Sequence, residues 1–320
     1  MLKLKFINWW SNGNDDFFKK FIENYMNIKT EIVDNNPDIL FFSVFNKISP
    51  HQYVKNNPNI KIKVFFTGED TTSRSSRGCG SDHYYVNFAD ISLGFKNIIH
   101  PNYIRFPLWI TYINIEKFNM GRTCLPFNKL DNFKSNGYND TLFCSIVSNH
   151  DSNNTRTKII ESLSKYKKIN VGGGIANLLK KNNIPIIVKG AGKSINDKQN
   201  YLKKFKFNIC SESSISDGYI TEKLFECIIG GCIPIYYCDD NVMIEPEILN
   251  NDFIIKYNNN NIDSAVHKIK ELDTNKEIYN KFIAQKPLND NAYSEIIKCY
   301  DLLKSKLLQL FESKKLIYHN

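Results

Sequence analysis

The sequence predicts an α/β protein of two consecutive units, each a parallel sheet covered by helices. A chain of 320 residues is long for one hydrophobic core and comfortable for two. Apolar runs of strand length alternate with stretches of helical periodicity, the pattern that builds a parallel sheet with helices on its faces. That alternation runs twice, separated by a polar, turn-rich stretch at residues 128–139 (NKLDNFKSNGYN).

In the first series, residues 3–10 alternate charge and apolarity and read as a strand. Residues 15–28 read as an amphipathic helix with Phe17, Phe18, Phe21 and Ile22 inward. Residues 38–45 and 61–67 are apolar strands, and 71–81 (TTSRSSRGCGS) form a polar, glycine-containing loop. The second series holds a strand at 141–147, a helix at 155–165 and a glycine turn at 172–174. A strand at 205–211, a helix at 218–229 and a strand at 232–237 follow. Helices at 262–272 and 293–311 close the chain. The expected domains are 1–135 and 136–290, with 128–139 as the linker and 291–320 as an amphipathic helix. That helix carries Ile296, Ile297, Leu302, Leu303, Leu307 and Leu310 interleaved with lysines. It can pack back across the domains or lie on an anionic membrane surface as a peripheral contact; packing is the commoner fate of such a stripe.

The composition, 42% hydrophobic and 13% aromatic, is that of a globular chain. A formal charge of +9 suits an anionic partner: nucleic acid, a membrane surface or a phosphorylated ligand. A lysine-rich solvated surface is the simpler reading of that charge. Nucleic acid is not expected as a partner, since the sequence shows no recognised module and no basic-aromatic stripe. The eight cysteines include no CxxC pair and no metal-ligand spacing with histidine, so they read as reduced and mostly buried. No apolar segment approaches the roughly 20 residues that span a bilayer. The start of the chain reads as a strand and not as a signal peptide. The expectation is a cytoplasmic protein, soluble or peripherally membrane-associated. Sequons at Asn139 and Asn153 would matter only in a secreted protein.

The most informative stretch is Ser216-Asp-Gly-Tyr-Ile-Thr-Glu-Lys-Leu-Phe-Glu-Cys-Ile-Ile-Gly-Gly-Cys-Ile-Pro-Ile-Tyr-Tyr. Helical spacing puts Thr221, Leu224, Phe225 and Ile228 on one face and Tyr219, Glu222, Lys223 and Glu226 on the other. Ser216 or Asp217 can cap the start. A cation such as Lys223 in the first turns is disfavoured by the helix dipole unless an anion binds there. An ordinary surface face with a Lys–Glu pair is the competing reading. Gly172-Gly-Gly, with Gly173 at its centre, would let backbone approach a nucleotide, or form a flexible turn.

The segment GYITEKLFE…GGCIPIYY resembles the signature of glycosyltransferase family 10, the α-1,3/1,4-fucosyltransferases. Phe205-Lys-Phe-Asn-Ile-Cys-Ser-Glu resembles the family's K-F-x-[LI]-x-x-E strand. Phe65-Phe-Thr-Gly-Glu-Asp is similar to its F-Y-T-G-E-N block, and Leu93-Gly-Phe with Arg105-Phe-Pro-Leu to the segment after it. The blocks are collinear over roughly residues 61–253. The resemblance implies a GT-B architecture, two Rossmann-like domains with parallel sheets facing across a cleft. The acceptor would associate mainly with the first domain and GDP-fucose with the second. It further implies inverting transfer of fucose from GDP-fucose to a glycan or glycoconjugate acceptor, with no cofactor and no metal needed to bind the donor. Carried onto this chain, Glu69 falls on the catalytic base and Arg156 and Lys223 on the diphosphate-binding cations. Glu222 would accept hydrogen bonds from donor sugar hydroxyls, Tyr219 would line the same pocket, and Glu212 ends the strand that approaches the nucleotide. Ser211-Glu212-Ser213 stands where the family commonly has F-E-N, and Tyr236-Tyr237-Cys238 where it has Y-W-G. Both departures touch the donor pocket, so transfer from another nucleotide sugar and silent nucleotide-sugar binding are the alternatives. Arg74 and Arg77, close in sequence to Glu69, raise an anionic acceptor as one hypothesis beside a plain exposed basic loop.

Overall fold

The computed structural model describes residues 1–9, 16–45, 48–70, 84–115, 125–139, 141–151, 153–192 and 194–316. Trp10, the expected loop at 71–81 with Arg74 and Arg77, and Cys79 and Cys124 lie outside the described residues. The chain divides into two units. One comprises Met1–Pro126, Ser216–Tyr219 and Tyr293–Asn320; the other comprises Phe127–Ile215 and Ile220–Ala292.

In the first unit, short β-branched and aromatic runs form β1 (Leu2–Ile7), β2 (Thr30–Ile32), β3 (Ile39–Phe42), β4 (Ile62–Phe66), β5 (Ile91–Gly94) and β6 (Tyr103–Arg105). They pair in parallel in the order β2-β1-β3-β4-β5-β6. All four residues of β3 are buried, as a strand covered on both faces requires. Successive side chains point to opposite faces, and the core divides accordingly. Phe41 stacks on Phe18 at 5.2 Å, from the helix α1 (Asp16–Lys20) that continues as a π-helical turn through Phe21–Tyr25. Phe42 instead packs with Phe65 and Tyr85, in the cluster that Tyr53 and Val54 of α2 (Pro50–Asn56) cover. A 3-10 turn at Leu108–Tyr112 leads into the short pair β7 (Ile113–Asn114) and β8 (Leu125–Pro126).

The second unit holds α3 (Phe127–Asp131), β9 (Leu142–Val147), α4 (Thr155–Ser164), β10 (Ile169–Gly172), α5 (Ile175–Lys181) and β11 (Ile186–Val188). It continues with α6 (Ile195–Leu202), β12 (Phe205–Ile209), α7 (Lys223–Ile229), β13 (Ile233–Tyr237), β14 (Ile255–Tyr257), α8 (Ile262–Thr274) and α9 (Lys276–Ile283). Its parallel order is β11-β10-β9-β12-β13-β14. The chain therefore winds outward from β9 in one direction and resumes at β12 on the other side. This is the strand order of a dinucleotide-binding Rossmann sheet, and the crevice at the β9/β12 reversal is where such sheets take ligands. Asn208 fixes the register there, donating its side-chain amide to the Ser145 carbonyl at 3.1 Å and the Ser145 hydroxyl at 2.9 Å.

Two expectations change. The stretch at 128–139 is not a free linker. It begins inside α3, and the Asn136 amide donates to the carbonyls of Leu202, Phe205 and Gly230 at 3.1, 2.8 and 2.8 Å. Gly231, at φ 76°, leaves room for that side chain: a Cβ there would stand 2.4 Å from Asn136 Oδ1. The closing helix, α10 (Ala292–Ser313), buries Ile296, Tyr300, Leu303, Leu307 and Phe311, whereas Leu302 is exposed. Tyr300 packs edge-on against Phe21 and donates its hydroxyl to the Ile110 and Ile113 carbonyls, both at 3.1 Å. The apolar stripe is thus used within the first unit. Among the described residues, no helix is long and apolar enough to cross a membrane.

Candidate active site

The carboxyl ends of β9 and β12 carry the polar cleft of the second unit. After β9 the chain turns through Ser148, Asn149, His150 and Asp151. The Asp151 carboxylate accepts from the backbone N–H groups of Arg156 (3.2 Å) and Thr157 (2.7 Å) and from the Thr157 hydroxyl (2.6 Å). It satisfies the open donors at the start of α4 and places its charge at the positive end of the helix. Arg156 is 2% exposed. Its Nε donates to the Ser211 carbonyl at 3.1 Å, its Nη1 to Ser148 Oγ at 2.7 Å, and further bonds reach the carbonyls of Ser211 and His150. A single guanidinium thus ties the β9 loop to the end of β12, and it presents charge to the cleft more than unused donors.

Glu212 follows β12 and is turned inward. Its carboxylate accepts from the Thr221 N–H at 2.8 Å, the Thr221 hydroxyl at 2.8–2.9 Å and Lys223 Nζ at 2.8 Å. Lys223 Nζ also donates to Thr221 Oγ1 at 2.7 Å and lies 3.8 Å from Glu222 Oε1. Burial opposes ionisation of Glu222, but the Lys223 and Lys198 charges outweigh it and hold its carboxyl below the ordinary value. Glu222 is therefore a charged acceptor at neutral pH.

The expected amphipathic helix at 218–229 is shorter, although its expected inward residues Thr221, Leu224, Phe225 and Ile228 are all buried. α7 starts only at Lys223 and has seven residues. Gly218 sits at φ 71° with a would-be Cβ 2.6 Å from the Phe95 carbonyl, so the chain from 216 to 219 belongs to the first unit. Tyr219 is buried there against Phe95, ring centroids 5.0 Å apart, and is not among the residues lining the cleft. Glu226, placed by helical spacing on the polar face opposite those inward residues, has a side chain only 3% exposed and paired with Lys198.

The cleft encloses about 320 Å³ and is lined by Ser148, His150, Arg156, Lys198, Ser213 and Lys223 together with Val147 and Asn149. Of the residues singled out from sequence, Arg156 and Lys223 meet there, with Glu212 bonded to Lys223 and Glu222 beside it. Gly173 stands at the neighbouring turn, at φ 88°, where a Cβ would lie 2.3 Å from the Ser148 carbonyl. Its missing side chain serves the packing of the β9 and β10 turns against each other. Glu69 lies in the first unit beyond the carboxyl end of β4, half-buried. Its N–H donates to Thr67 Oγ1 at 3.1 Å, while the Thr67 hydroxyl bonds back to the Glu69 carbonyl at 3.0 Å. Sequence reasoning missed Lys198, Ser148 and the capping role of Asp151. Asp151 alone carried a local signal, a carboxylate just ahead of a helix start. Among the described residues no two cysteines form a disulfide, and Cys144, Cys210, Cys227 and Cys232 are buried.

Two family models match the chain. Residues 138–294 match glycosyltransferase family 10 (fucosyltransferase) C-term, and residues 4–112 match the α-(1,3)-fucosyltransferase FucT N-terminal domain. The chain is 24% identical over 315 residues to the α-(1,3)-fucosyltransferase FucT of Helicobacter pylori, across 90% of this chain and 60% of that protein. It is 28% identical over 142 residues to the human 4-galactosyl-N-acetylglucosaminide 3-α-L-fucosyltransferase 9, across 44% of this chain and 35% of the relative. The chain thus spans about 60% of the length of the bacterial relative and about a third of the human one. In fold it is similar to an α1,3-fucosyltransferase crystal structure (TM-score 0.62, 20% identity, 95% of this chain and 90% of that one). A second likeness is to an α-glucosyltransferase in complex with UDP and DNA (TM-score 0.59, 13% identity, 94% and 99%).

Proposed function

The chain belongs to glycosyltransferase family 10 and is built as two Rossmann-like units of GT-B architecture, and from that premise we propose that it transfers fucose from GDP-fucose to a hydroxyl of a glycan acceptor, forming an α-1,3 linkage with inversion. The observation that carries the proposal is the meeting of Arg156 and Lys223 in one polar cleft at the strand reversal of the second sheet. Charge builds on the departing diphosphate as the glycosidic bond breaks, and fixed cations facing it lower the barrier. Lys223, held by Glu212 and Thr221, is set in place before any ligand arrives. Glu222, kept ionised by its cationic neighbours, would accept hydrogen bonds from donor hydroxyls. Glu69 would act as the general base, taking the proton of the acceptor hydroxyl as that oxygen attacks the anomeric carbon. One carboxylate suffices for such a single displacement. With two side-chain cations meeting the diphosphate, the donor would bind without a metal ion.

The testing experiment is thermal stabilisation across GDP-fucose, GDP-mannose, UDP-sugars and GDP, followed by transfer assays with the best donor. A ligand that binds the native state raises its melting temperature. GDP and GDP-fucose should stabilise the protein and UDP-sugars should not. Stabilisation by a UDP-sugar alone would replace the donor, and no transfer from any bound donor would leave a binding protein.

A further inference from the structure

We propose that Lys198 is a third cation of the diphosphate site, held in place by the buried carboxylate of Glu226. This rests on the reading of the cleft as a nucleoside-diphosphate site. Lys198 lines the cleft together with Arg156 and Lys223, and its Nζ is ion-paired with Glu226 Oε2. It lies on α6, whose start is fixed by a capping box: the Ser194 hydroxyl accepts from the Asp197 N–H at 3.0 Å and the Asp197 carboxylate from the Ser194 N–H at 3.2 Å. Its charge reaches Glu222, where it acts with Lys223 to favour the carboxylate.

Stability alone does not account for the Lys198–Glu226 pair. Glu226 sits among Leu224, Phe225, Cys227 and Ile228, all buried. An apolar side chain there would avoid desolvating a carboxylate, and replacing a buried ion pair with well-packed apolar residues is often neutral or stabilising. A function for the lysine does account for it. Three cations converging on one cleft repel each other, and each is anchored separately: Arg156 by Ser148, His150 and Ser211, Lys223 by Glu212, and Lys198 by Glu226. Arg156 spends donors on those bonds, so a second lysine supplies ammonium donors beyond the one that Glu226 takes. Lys198 would bind the diphosphate directly. Glu226 is a positioning residue.

The test compares Lys198→Gln and Lys198→Arg with the unmodified protein by calorimetric binding of GDP, inorganic pyrophosphate and guanosine. Lys198→Gln removes the charge and keeps a hydrogen-bond donor for Glu226. Should it fold poorly, the double variant Lys198→Met, Glu226→Gln leaves no buried carboxylate without its counter-charge. Loss of one charge-assisted contact should weaken GDP and pyrophosphate roughly ten- to hundredfold. Guanosine affinity should stay put, and Lys198→Arg should restore most of the loss, which a merely structural role would not produce. Equal affinity of Lys198→Gln and the unmodified protein for GDP and pyrophosphate overturns the role of Lys198 and leaves the donor reading standing. Pyrophosphate binding that depends on Lys198 in a protein that ignores GDP upholds the role and overturns the donor. A protein that binds neither anion overturns both.

Discussion

Lys223 is the first residue of α7, where the helix dipole disfavours a cation by up to about 1 kcal/mol. Glu212 and Glu222 provide the local compensation, at 2.8 and 3.8 Å. Because the diphosphate is present before and during the reaction, Lys223→Ala should lower GDP affinity roughly tenfold or more and reduce transfer alongside it. Glu69 behaves differently if it is the base. Glu69→Ala should cut kcat by about two to four orders of magnitude while GDP affinity changes less than about twofold. Calorimetry and initial-rate kinetics on the two variants separate the roles, and a large loss of GDP affinity in Glu69→Ala would contradict its assignment to the acceptor side.

At the level of elements, buried polar links join parts of the second unit that are remote in sequence. Asp273, at the end of α8, has a side chain 1% exposed and pairs with Lys206 of β12 at 2.9 Å and with Lys167 after α4; Tyr166 donates to it at 2.9 Å. Burial raises its pKa, but the hydrogen bonds from Lys167, Lys206 and Tyr166 outweigh that and lower it below the ordinary 3.8. The folded state then binds fewer protons than the unfolded state at acid pH. The stabilisation is therefore complete above the ordinary carboxylate range and fades as pH falls below it toward the lowered pKa. Asp273→Asn should destabilise the protein by about 3–5 kcal/mol at neutral pH, since Lys206 is left buried without a counter-charge. Denaturant titrations should also show a shallower loss of stability on acidification in that variant.

Element boundaries show where the sequence was readable. β3, β4, β9, β12 and β13 coincide with apolar runs visible by eye and β1 with an alternating one, whereas the strands β2, β6, β11 and β14 have three residues each. A three-residue strand has no period to detect. Its pairing is decided by the neighbouring strand. On α10, helical spacing located the stripe but placed Leu302 in it. The structure exposes Leu302 and puts Tyr300 against Phe21, because a tyrosine can bury its ring while its hydroxyl finds a carbonyl.

For the whole molecule, the proposed site uses side-chain cations where other nucleotide-sugar enzymes use a divalent ion. Transfer should accordingly be unchanged by excess chelator, and full restoration of activity only by added Mg²⁺ or Mn²⁺ would refute a metal-free donor site.

What the sequence alone determined is local: two alternating α/β series, the collinear family blocks, and the residue types in them. Periodicity and motif are properties of neighbouring residues, so they survive without coordinates. The strand order of each sheet, the inward turn of Glu212 onto Lys223, and the pairing of Lys198 with Glu226 were decided only by tertiary structure. Those ion pairs join residues 11 and 28 positions apart, and the Lys206–Asp273 pair spans 67. No spacing rule reaches that far. Which charge faces which is set by the strand on which the chain re-enters the sheet.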